Sequence, residues 1–307
     1  MAKYVFGPVP SRRLGFSLGV DIIPAKYCCF DCIYCQIGKT TNVEMARKSF
    51  IDPYKIIDEI TDAVNKTEHI DSITFSGSGE PTLNSDLGTM IEEVKRTTDI
   101  PVSVITNGAL LYLDEVRKDL MLADVVLPSL DAVSEDIFRY INRPHSFIEI
   151  DTIIRGLKSF RNEYQGKIWL EVMLIKDVND TREELTKLKE IVAELNVDKL
   201  QLNTVTRPPA KESTGRLTKD DLEKACEYLG GPCEIICNFE KSLKHYTKED
   251  WSQKILEILQ RRSLTLDDII KITGISFTKA KNRLEMLEKE GQIKSYFFDD
   301  NIFYMKS

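Results

Sequence analysis

The sequence predicts an α/β protein in which a partial (β/α)6 barrel is followed by a small C-terminal winged helix-turn-helix domain. Between about residue 17 and about residue 240, six short apolar runs alternate with amphipathic segments. This alternation is typical of a parallel sheet with right-handed crossovers. Beyond residue 248 the pattern changes to three short helical segments and a hairpin signal. A doubly wound sheet is the alternative for the first part.

Polar side chains in the predicted strands favour the barrel over the doubly wound sheet. The strands are predicted at 17–23, 72–76, 102–106, 124–129, 168–175 and 200–205. Gln201 and Asn203 share one parity between leucines, and Thr74 lies between Ile73 and Phe75. A strand covered by helices on both faces is apolar on both. One-sided polarity therefore indicates a partly open lumen, with hydrogen-bonded core polar groups as the alternative.

Helix signals follow the strands in order. Pro53 begins a segment that carries isoleucines at helical spacing. Asn84 is predicted to cap the next helix, and Thr181 to cap the helix after the fifth strand. Each strand is thus followed by helix-forming sequence, as the (β/α) repeat requires.

The last sixty residues predict the winged helix. Helices are expected at 250–260, 266–272 and 276–289, and a hairpin at 293–298 and 302–304. Three helices and a terminal hairpin are typical of this domain. We therefore predict a barrel domain over 1–240, a linker over 241–248 and a winged-helix domain over 249–307.

Composition excludes several classes of protein. Hydrophobic residues make up 42% and charged residues 30% of the chain, which is ordinary for a globular protein. The net charge of −7 argues against general attraction to nucleic acid or anionic membranes. No apolar run approaches the roughly 20 residues of a membrane helix, and no signal-peptide core precedes Arg12. We expect a cytoplasmic protein with no membrane partner.

Four of the seven cysteines fall within eight residues, which suggests a metal site rather than disulfides. Cys29, Cys32 and Cys35 match the start of the ferredoxin run C-x2-C-x2-C-x3-C, but the closing cysteine is missing. Cys28, Cys32 and Cys35 instead give C-x3-C-x2-C, three thiolates that would leave one iron of a [4Fe–4S] cluster open. Zinc is a further alternative, although it prefers paired C-x2-C units.

The C-x3-C-x2-C run, with Tyr34 before its last cysteine, resembles the cluster motif of the radical S-adenosylmethionine superfamily. Three further motifs appear in the order found in that superfamily. Residues 76–81 read Ser-Gly-Ser-Gly-Glu-Pro and resemble its GGEP motif, 106–108 read Thr-Asn-Gly, and 129–131 read Ser-Leu-Asp. All of them fall at carboxyl ends of predicted strands, which is the active-site edge of such barrels.

The resemblance implies two cofactors and the residues that bind them. A [4Fe–4S] cluster would be held by Cys28, Cys32 and Cys35. S-adenosylmethionine would be bound by Tyr34, Ser78, Gly79, Glu80, Pro81, Thr106, Asn107, Ser129 and Asp131. In this resemblance Glu80 holds the amino group of the methionine moiety, and Tyr34 is placed to stack on adenine.

A finer resemblance is to uncharacterised iron–sulfur proteins related to the wyosine tRNA-base synthases. It rests on residues 7–15, 34–38 and 207–209. It implies reductive cleavage of S-adenosylmethionine to a 5′-deoxyadenosyl radical, with a ferredoxin or flavodoxin type of electron donor. The substrate is unidentified, with RNA and peptides as open alternatives. Arg207, followed by two prolines, is a candidate for binding an anion, whereas Arg12 and Arg13 either bind an anionic substrate or lie on the surface.

The rival function is an electron-transfer or redox-sensing iron–sulfur protein whose winged helix reads DNA. Residues 251–307 contain ten Lys+Arg and eight Asp+Glu, a net of +2, and the predicted wing tip is Asp299-Asp300. A DNA-binding surface is usually more basic. Cys226, Cys233 and Cys237 are expected to be buried core thiols, with a second cluster as the alternative.

Overall fold

The computed structural model describes residues 4–237, 251–299 and 301–307. The linker predicted at 241–248 lies outside the described residues, so the domain boundary there stays a prediction. Among the helices of the described ranges, none combines the length and the apolar character needed to cross a bilayer.

The central element is an open eight-stranded sheet that contains all six predicted strands. The main-sheet strands and a short parallel pair are β1 (Val5–Ser11), β2 (Gly15–Val20), β3 (Tyr27–Cys28), β4 (Asn42–Val43), β5 (Ser72–Phe75), β6 (Val102–Thr106), β7 (Val125–Pro128), β8 (Lys167–Leu174), β9 (Lys199–Thr204) and β10 (Cys233–Ile235). The main sheet has the order β1-β2-β5-β6-β7-β8-β9-β10, and β3 pairs with β4. β1 runs antiparallel to β2, and the other neighbours in the main sheet are parallel. The predicted partial (β/α)6 barrel is confirmed, and it is extended by one strand at each edge.

The two edge strands were missed for different reasons. β1 contains Pro8 and Pro10, which indicate a break within a central strand but are tolerated at an edge, where no partner requires every N–H. β10 is only three residues long, too short to show a clear alternation.

In residues 4–237, seven helices accompany the sheet: α1 (Pro53–Asn65), α2 (Leu87–Thr97), α3 (Asp114–Leu120), α4 (Glu135–Asn142), α5 (Ile150–Glu163), α6 (Arg182–Leu195) and α7 (Lys219–Leu229). The Thr181 side chain caps α6 by accepting from Glu184 N, as predicted. The predicted cap at Asn84 is wrong, because α2 begins three residues later. The Asn84 side chain instead donates to Ile22 O (3.0 Å) and accepts from Asp86 N (2.9 Å).

The polar positions of the strands are both inward-facing and hydrogen-bonded. Ser17 Oγ lies 2.6 Å from Thr74 Oγ1, and both residues line the cavity described below. Asn203 Nδ2 donates to Glu171 Oε1 (2.9 Å). Both interpretations of the polar positions therefore apply: these side chains face a lumen, and they are hydrogen-bonded. Buried polar groups are stable only when they have hydrogen-bond partners.

The winged helix forms as predicted. It consists of α8 (Trp251–Leu259), β11 (Leu264–Thr265), α9 (Leu266–Thr273), α10 (Phe277–Lys289), β12 (Ile293–Phe298) and β13 (Asn301–Lys306). Its sheet has the order β11-β13-β12. Thr265 and Asp268 form a capping box at the start of α9, and Gly274 ends that helix with a φ of 65°, a conformation that glycine adopts without a steric penalty.

The winged helix packs along the edge of the barrel sheet. Phe6 and Val9 of β1 belong to the same apolar cluster as Ile255 of α8 and Leu284 of α10. Phe298, at the end of β12, packs against an apolar cluster beside the cysteine-rich loop. An edge strand exposes unpaired backbone groups and an apolar face, and here that face of β1 is covered by the second domain.

Two ion pairs join the same surfaces. Arg261, just after α8, donates from Nε to Asp21 Oδ2 at 3.1 Å. Arg216, in the segment between β9 and α7, pairs with Asp299 at the tip of the wing. The side of the open barrel next to β1 is thus bordered by the winged helix.

Candidate active site

The cysteine-rich loop follows β2 and is anchored by backbone hydrogen bonds to the end of α4 and the segment after it. Cys29 O accepts from His145 N (2.9 Å), Asp31 N donates to Asn142 O (3.0 Å), and Ile33 N donates to Ile141 O (2.9 Å). These bonds fix the backbone on both sides of the cysteines, so the positions of the thiols do not depend on a bound metal alone.

The four clustered cysteines fall into two groups. Cys29 is fully buried in the main core (0% exposed), whereas Cys28, Cys32 and Cys35 are partly exposed and free. Asn107 Nδ2 lies 3.5 Å from Cys28 Sγ, and it is positioned to donate to that sulfur. The amide of Asn142 similarly donates to Cys32 Sγ at 3.4 Å. Such N–H···S contacts stabilise a thiolate, which is the form that binds metals.

Burial raises the pKa of all three of these thiols. Burial and the negative charge of Glu80 raise the pKa of Cys28 to about 12, and burial raises the pKa of Cys32 and of Cys35, an effect that Lys26 opposes at Cys35. A bound metal group would favour the deprotonated thiolates. Three free, partly exposed thiols, two of them with amide donors, are a donor set that an iron–sulfur cluster uses.

The glycine-rich turn after β5 packs directly on the cysteine-rich loop. A Cβ at Gly79 would lie 1.9 Å from Tyr27 O, so only glycine fits this close approach. Glu80 N donates to the same Tyr27 O (3.0 Å), and Ser78 O accepts from Lys26 N (2.8 Å). Ser78 itself is buried and donates from Oγ to Asp21 Oδ2 (2.7 Å). Pro81 begins a short 3-10 turn, Pro81–Leu83.

Glu80 is the charged centre of this edge of the sheet. Its Oε1 accepts from Thr82 N (3.1 Å) and from the hydroxyls of Thr82 and Thr106 (2.6 Å each), and its Oε2 accepts from Asn107 N (2.7 Å). Burial raises the pKa of Glu80, and these four hydrogen bonds oppose that shift. Oε1 is saturated, whereas Oε2 keeps capacity for one further donor.

Tyr34 and Asp131 form a separate polar group beside the cysteine-rich loop. Asp131 Oδ2 accepts from the Tyr34 hydroxyl (2.5 Å) and from Asn142 Nδ2 (2.7 Å), and its Oδ1 accepts from Met173 N (2.9 Å). Burial raises the pKa of Asp131 to about 6. Asn142 thus joins this group to Cys32. No sequence pattern singles out Asn142, because an asparagine at the end of a helix is common.

A cavity of about 680 Å3 brings six of the predicted residues together. They are Cys28, Gly79, Glu80, Thr106, Asn107 and Ser129. The other predicted residues do not line it, and two of them, Tyr34 and Asp131, line a small adjoining cavity together with Asn107 and Ser129. Those outside the lining are Cys32, Cys35, Tyr34, Ser78, Pro81 and Asp131. The volume is within the usual range for ligand sites. A second cavity of about 690 Å3 contains only Ser78 of the predicted set, so the larger share of the predicted chemistry belongs to the first.

The distant cysteines differ from the expectation of buried thiols. Cys226 of α7 and Cys233 of β10 form a disulfide, with Cα atoms 5.6 Å apart, and Cys237 is free and partly exposed. The helix runs into the strand through a short turn, which brings the two Cα atoms within the range that a disulfide spans.

Comparison with known proteins identifies the class. Residues 22–188 match the Radical SAM superfamily, and residues 252–294 match the description "Winged helix-turn-helix DNA-binding". The chain belongs to the radical SAM superfamily and is an enzyme of this class. Within it, the chain belongs to the UPF0026 proteins, being 35% identical over 312 residues to a UPF0026 protein of Methanocaldococcus jannaschii (98% of this chain, 95% of that protein).

Other proteins are similar to this chain over only part of their own length. The chain is 42% identical over 291 residues to a Brachyspira hyodysenteriae protein named GTPase Obg, which covers 94% of this chain but only 42% of that protein's length. The fold resembles "Structure of TYW1 with a lysine-pyruvate adduct bound" (TM-score 0.53, 20% identity, 69% of this chain and 72% of that one). It also resembles "Native anSMEcpe with bound AdoMet" (TM-score 0.53, 18% identity, 69% and 58%).

Proposed function

We propose that this chain holds a [4Fe–4S] cluster at Cys28, Cys32 and Cys35 and binds S-adenosylmethionine at the strand-end motifs of the 680 Å3 cavity. When bound, the cluster supplies one electron that splits the sulfonium of S-adenosylmethionine into methionine and a 5′-deoxyadenosyl radical, which abstracts a hydrogen atom from the substrate. The observation that carries this proposal is the shared cavity of Cys28, Glu80, Thr106, Asn107 and Ser129.

The chain's own residues have distinct roles in the proposal. Glu80 Oε2, with its remaining acceptor capacity, binds the ammonium group of the methionine moiety. Gly79 lets the turn approach the cysteine-rich loop closely, and Ser78 and Pro81 set the shape of that turn. Thr106 holds Glu80 in place, and Asn107 joins it to Cys28.

The hydroxyl of Tyr34 and the carboxylate of Asp131 are already engaged with each other. We assign them the positioning of the cysteine-rich loop. Ser129, at the cavity wall between Asn107 and this pair, is left to contact the ribose side of the cosubstrate.

The proposal extends to the class of electron donor and to the way in which a substrate reaches the cavity. A one-electron donor of the ferredoxin or flavodoxin type fits a site that needs single electrons. RNA and peptide substrates both require that the reacting group enter the cavity, because the winged helix packs on Phe6 and Val9 of β1 and contributes Arg262 to the cavity lining.

The test is anaerobic reconstitution of the cluster, followed by S-adenosylmethionine and dithionite, with 5′-deoxyadenosine measured by chromatography. We expect slow formation of 5′-deoxyadenosine without substrate. An intact cluster that yields none would refute the enzyme proposal. Deuterium transfer into 5′-deoxyadenosine from labelled candidates would then identify the substrate.

Two observations favour the DNA-reading alternative: the match of residues 252–294 to a DNA-binding winged helix-turn-helix, and the exposed face of α10 with Lys279 and Lys281. Glu285 and Glu288 are exposed on the same helix, which weakens attraction to phosphates. A gel-shift assay with random duplex DNA at two salt concentrations tests it, and absence of any complex at low salt would end this alternative.

A further inference from the structure

Three arginines from remote parts of the chain line the same cavity as the motif residues. Arg12 lies between β1 and β2, Arg207 follows β9, and Arg262 follows α8 of the winged helix. Two of them belong to the barrel and one to the winged helix, so the group exists only where the two parts of the chain meet.

Among the residues that the structure describes, these three guanidinium groups donate hydrogen bonds only to neutral acceptors. Arg12 Nη1 donates to Asn203 Oδ1 (3.1 Å) and Thr206 Oγ1 (3.2 Å), and Arg207 Nη1 donates to Gln36 Oε1 (2.9 Å). Arg262 Nη1 donates to a backbone carbonyl at 3.4 Å, and its buried Nε has no partner among the described residues.

Two other arginines that line the cavity are paired with carboxylates, as arginines inside proteins usually are. Arg13 pairs with Glu171, and Arg261 pairs with Asp21. Within the described ranges, no carboxylate lies at ion-pairing distance from Arg12, Arg207 or Arg262. Two arginines of this cavity are therefore ion-paired, whereas Arg12, Arg207 and Arg262 feel Glu171 or Asp268 only at longer range.

Burial and mutual repulsion make this arrangement costly. Burial and the neighbouring Arg262 lower the pKa of Arg207 to about 9, and burial and Arg207 lower the pKa of Arg12 to about 10. Burial also lowers the pKa of Arg262. At neutral pH all three remain protonated, so their charges are present together. All three arginines are half-buried, and charges partly withdrawn from water without an ion-pair partner are uncommon, because desolvation is not repaid.

Asp268 is the carboxylate that faces Arg207 and Arg262 most directly. Its Oδ2 accepts from Thr265 N (3.1 Å) at the start of α9, so this single carboxylate is held at the helix terminus and faces two guanidinium groups at once. The described lining of the cavity carries six basic and three acidic side chains: Arg12, Arg13, Arg207, Arg261, Arg262 and Lys271 against Glu80, Asp267 and Asp268. This excess is opposite in sign to the net charge of −7 of the whole chain.

We propose that Arg12, Arg207 and Arg262 form a binding site for a phosphate ester group of the substrate. The inference rests on the proposed function, because it assigns the substrate to the cavity that holds the cosubstrate. Guanidinium groups bind phosphate oxygens through paired N–H donors. Three unpaired cations require more negative charge than the single carboxylate of S-adenosylmethionine supplies, whereas a phosphate monoester or diphosphate supplies it. Because Arg262 comes from the winged helix, that domain completes the substrate site.

The experiment uses inorganic pyrophosphate as the probe and the full-length protein with its reconstituted cluster. Calorimetric binding is measured at constant ionic strength, with and without saturating S-adenosylmethionine. The variants are Arg207→Gln and Arg262→Gln, each checked for folding by its melting temperature. Arg155→Gln is the matched control, because Arg155 is exposed on α5 and contacts only Thr152 in the described structure.

We expect pyrophosphate to bind the wild-type protein equally well with and without S-adenosylmethionine, and to bind at least tenfold more weakly to both cavity variants than to Arg155→Gln. No binding to the folded wild-type protein, or equal binding by all variants, overturns the proposal. Displacement of S-adenosylmethionine by pyrophosphate also overturns it, since the arginines would then hold the cosubstrate carboxylate. Failure of the enzyme proposal is seen separately, as an intact cluster without 5′-deoxyadenosine.

Discussion

The two ends of the cavity are built in opposite ways. At the end with the strand motifs, Glu80 has four protein donors and Cys28 has an amide donor from Asn107. At the other end, Arg207 and Arg262 contact only neutral acceptors. A polar network that is complete without ligand keeps its geometry fixed, whereas an incomplete one is stabilised when a ligand brings the missing charge. We infer that the end with the strand motifs orients the cosubstrate and that the end with the arginines binds an anion.

The largest expected effect concerns the cysteines at the end of the cavity with the strand motifs. Cys28→Ala, Cys32→Ala and Cys35→Ala should each abolish the four-iron cluster and its broad visible absorption, because two thiolates cannot hold it. Iron content and absorbance after anaerobic reconstitution provide the measurement.

Cys29→Ala is the matched control, because Cys29 lies at 0% exposure in the apolar core. It should keep both the cluster and the cleavage of S-adenosylmethionine. If Cys29→Ala bleaches the protein while Cys28→Ala does not, the ferredoxin spacing is the right one.

Removal of the winged helix should separate the two ends. A chain ending at residue 248 keeps every contact of the cysteine-rich loop with α4 and with the turn at Gly79, so it should still assemble its cluster. It loses Arg262 and should lose pyrophosphate binding. Phe6→Ser and Val9→Ser in the same truncated chain would counter the exposure of the apolar face of β1. Truncated protein that folds but retains no iron would show that the winged helix is part of the cluster site.

Glu80→Gln should weaken the binding of S-adenosylmethionine about tenfold to hundredfold, the range expected for hydrogen bonds to a charged group. The neutral amide loses the attraction for an ammonium group and places an N–H₂ against protein donors. Glu223→Gln on the exposed side of α7 is the control. Calorimetry on cluster-loaded protein gives the affinities, and equal values for both variants would remove Glu80 from the cosubstrate site.

The sequence predicts the motif end well because its parts are local. The strand ends at Thr106 and Ser129 follow from alternation, and parallel strands bring their carboxyl ends to one edge. The arginine end could not be predicted in the same way. Arg12 and Arg262 are 250 positions apart, and their meeting depends on the packing of β1 against α8 and α9. The polar pair of Asn142 with Cys32 likewise depends on tertiary packing that no local pattern records.

The smallest expected effect concerns the arginine end of the cavity and the stability of the ligand-free protein. Arg207→Gln removes a partly buried charge that has no ion pair among the described residues and that neighbouring Arg262 repels, so it should raise the melting temperature of the ligand-free protein. A rise of about 2–4 °C corresponds to about 1 kcal/mol in a domain of roughly this size. Arg155→Gln should leave the melting temperature unchanged within error.

The pH dependence of this difference gives an independent check. The pKa of Arg207 is lowered to about 9 in the folded protein, so below that pH the group is charged in both the folded and the unfolded states and its destabilising effect is fully present. A guanidinium group keeps its proton over the pH range in which proteins are studied, so Arg207 does not change its charge on unfolding there. The gap in melting temperature should therefore be constant between about pH 6 and pH 9. A wild-type protein that is more stable than Arg207→Gln throughout would mean that Arg207 already has its counter-charge within the chain.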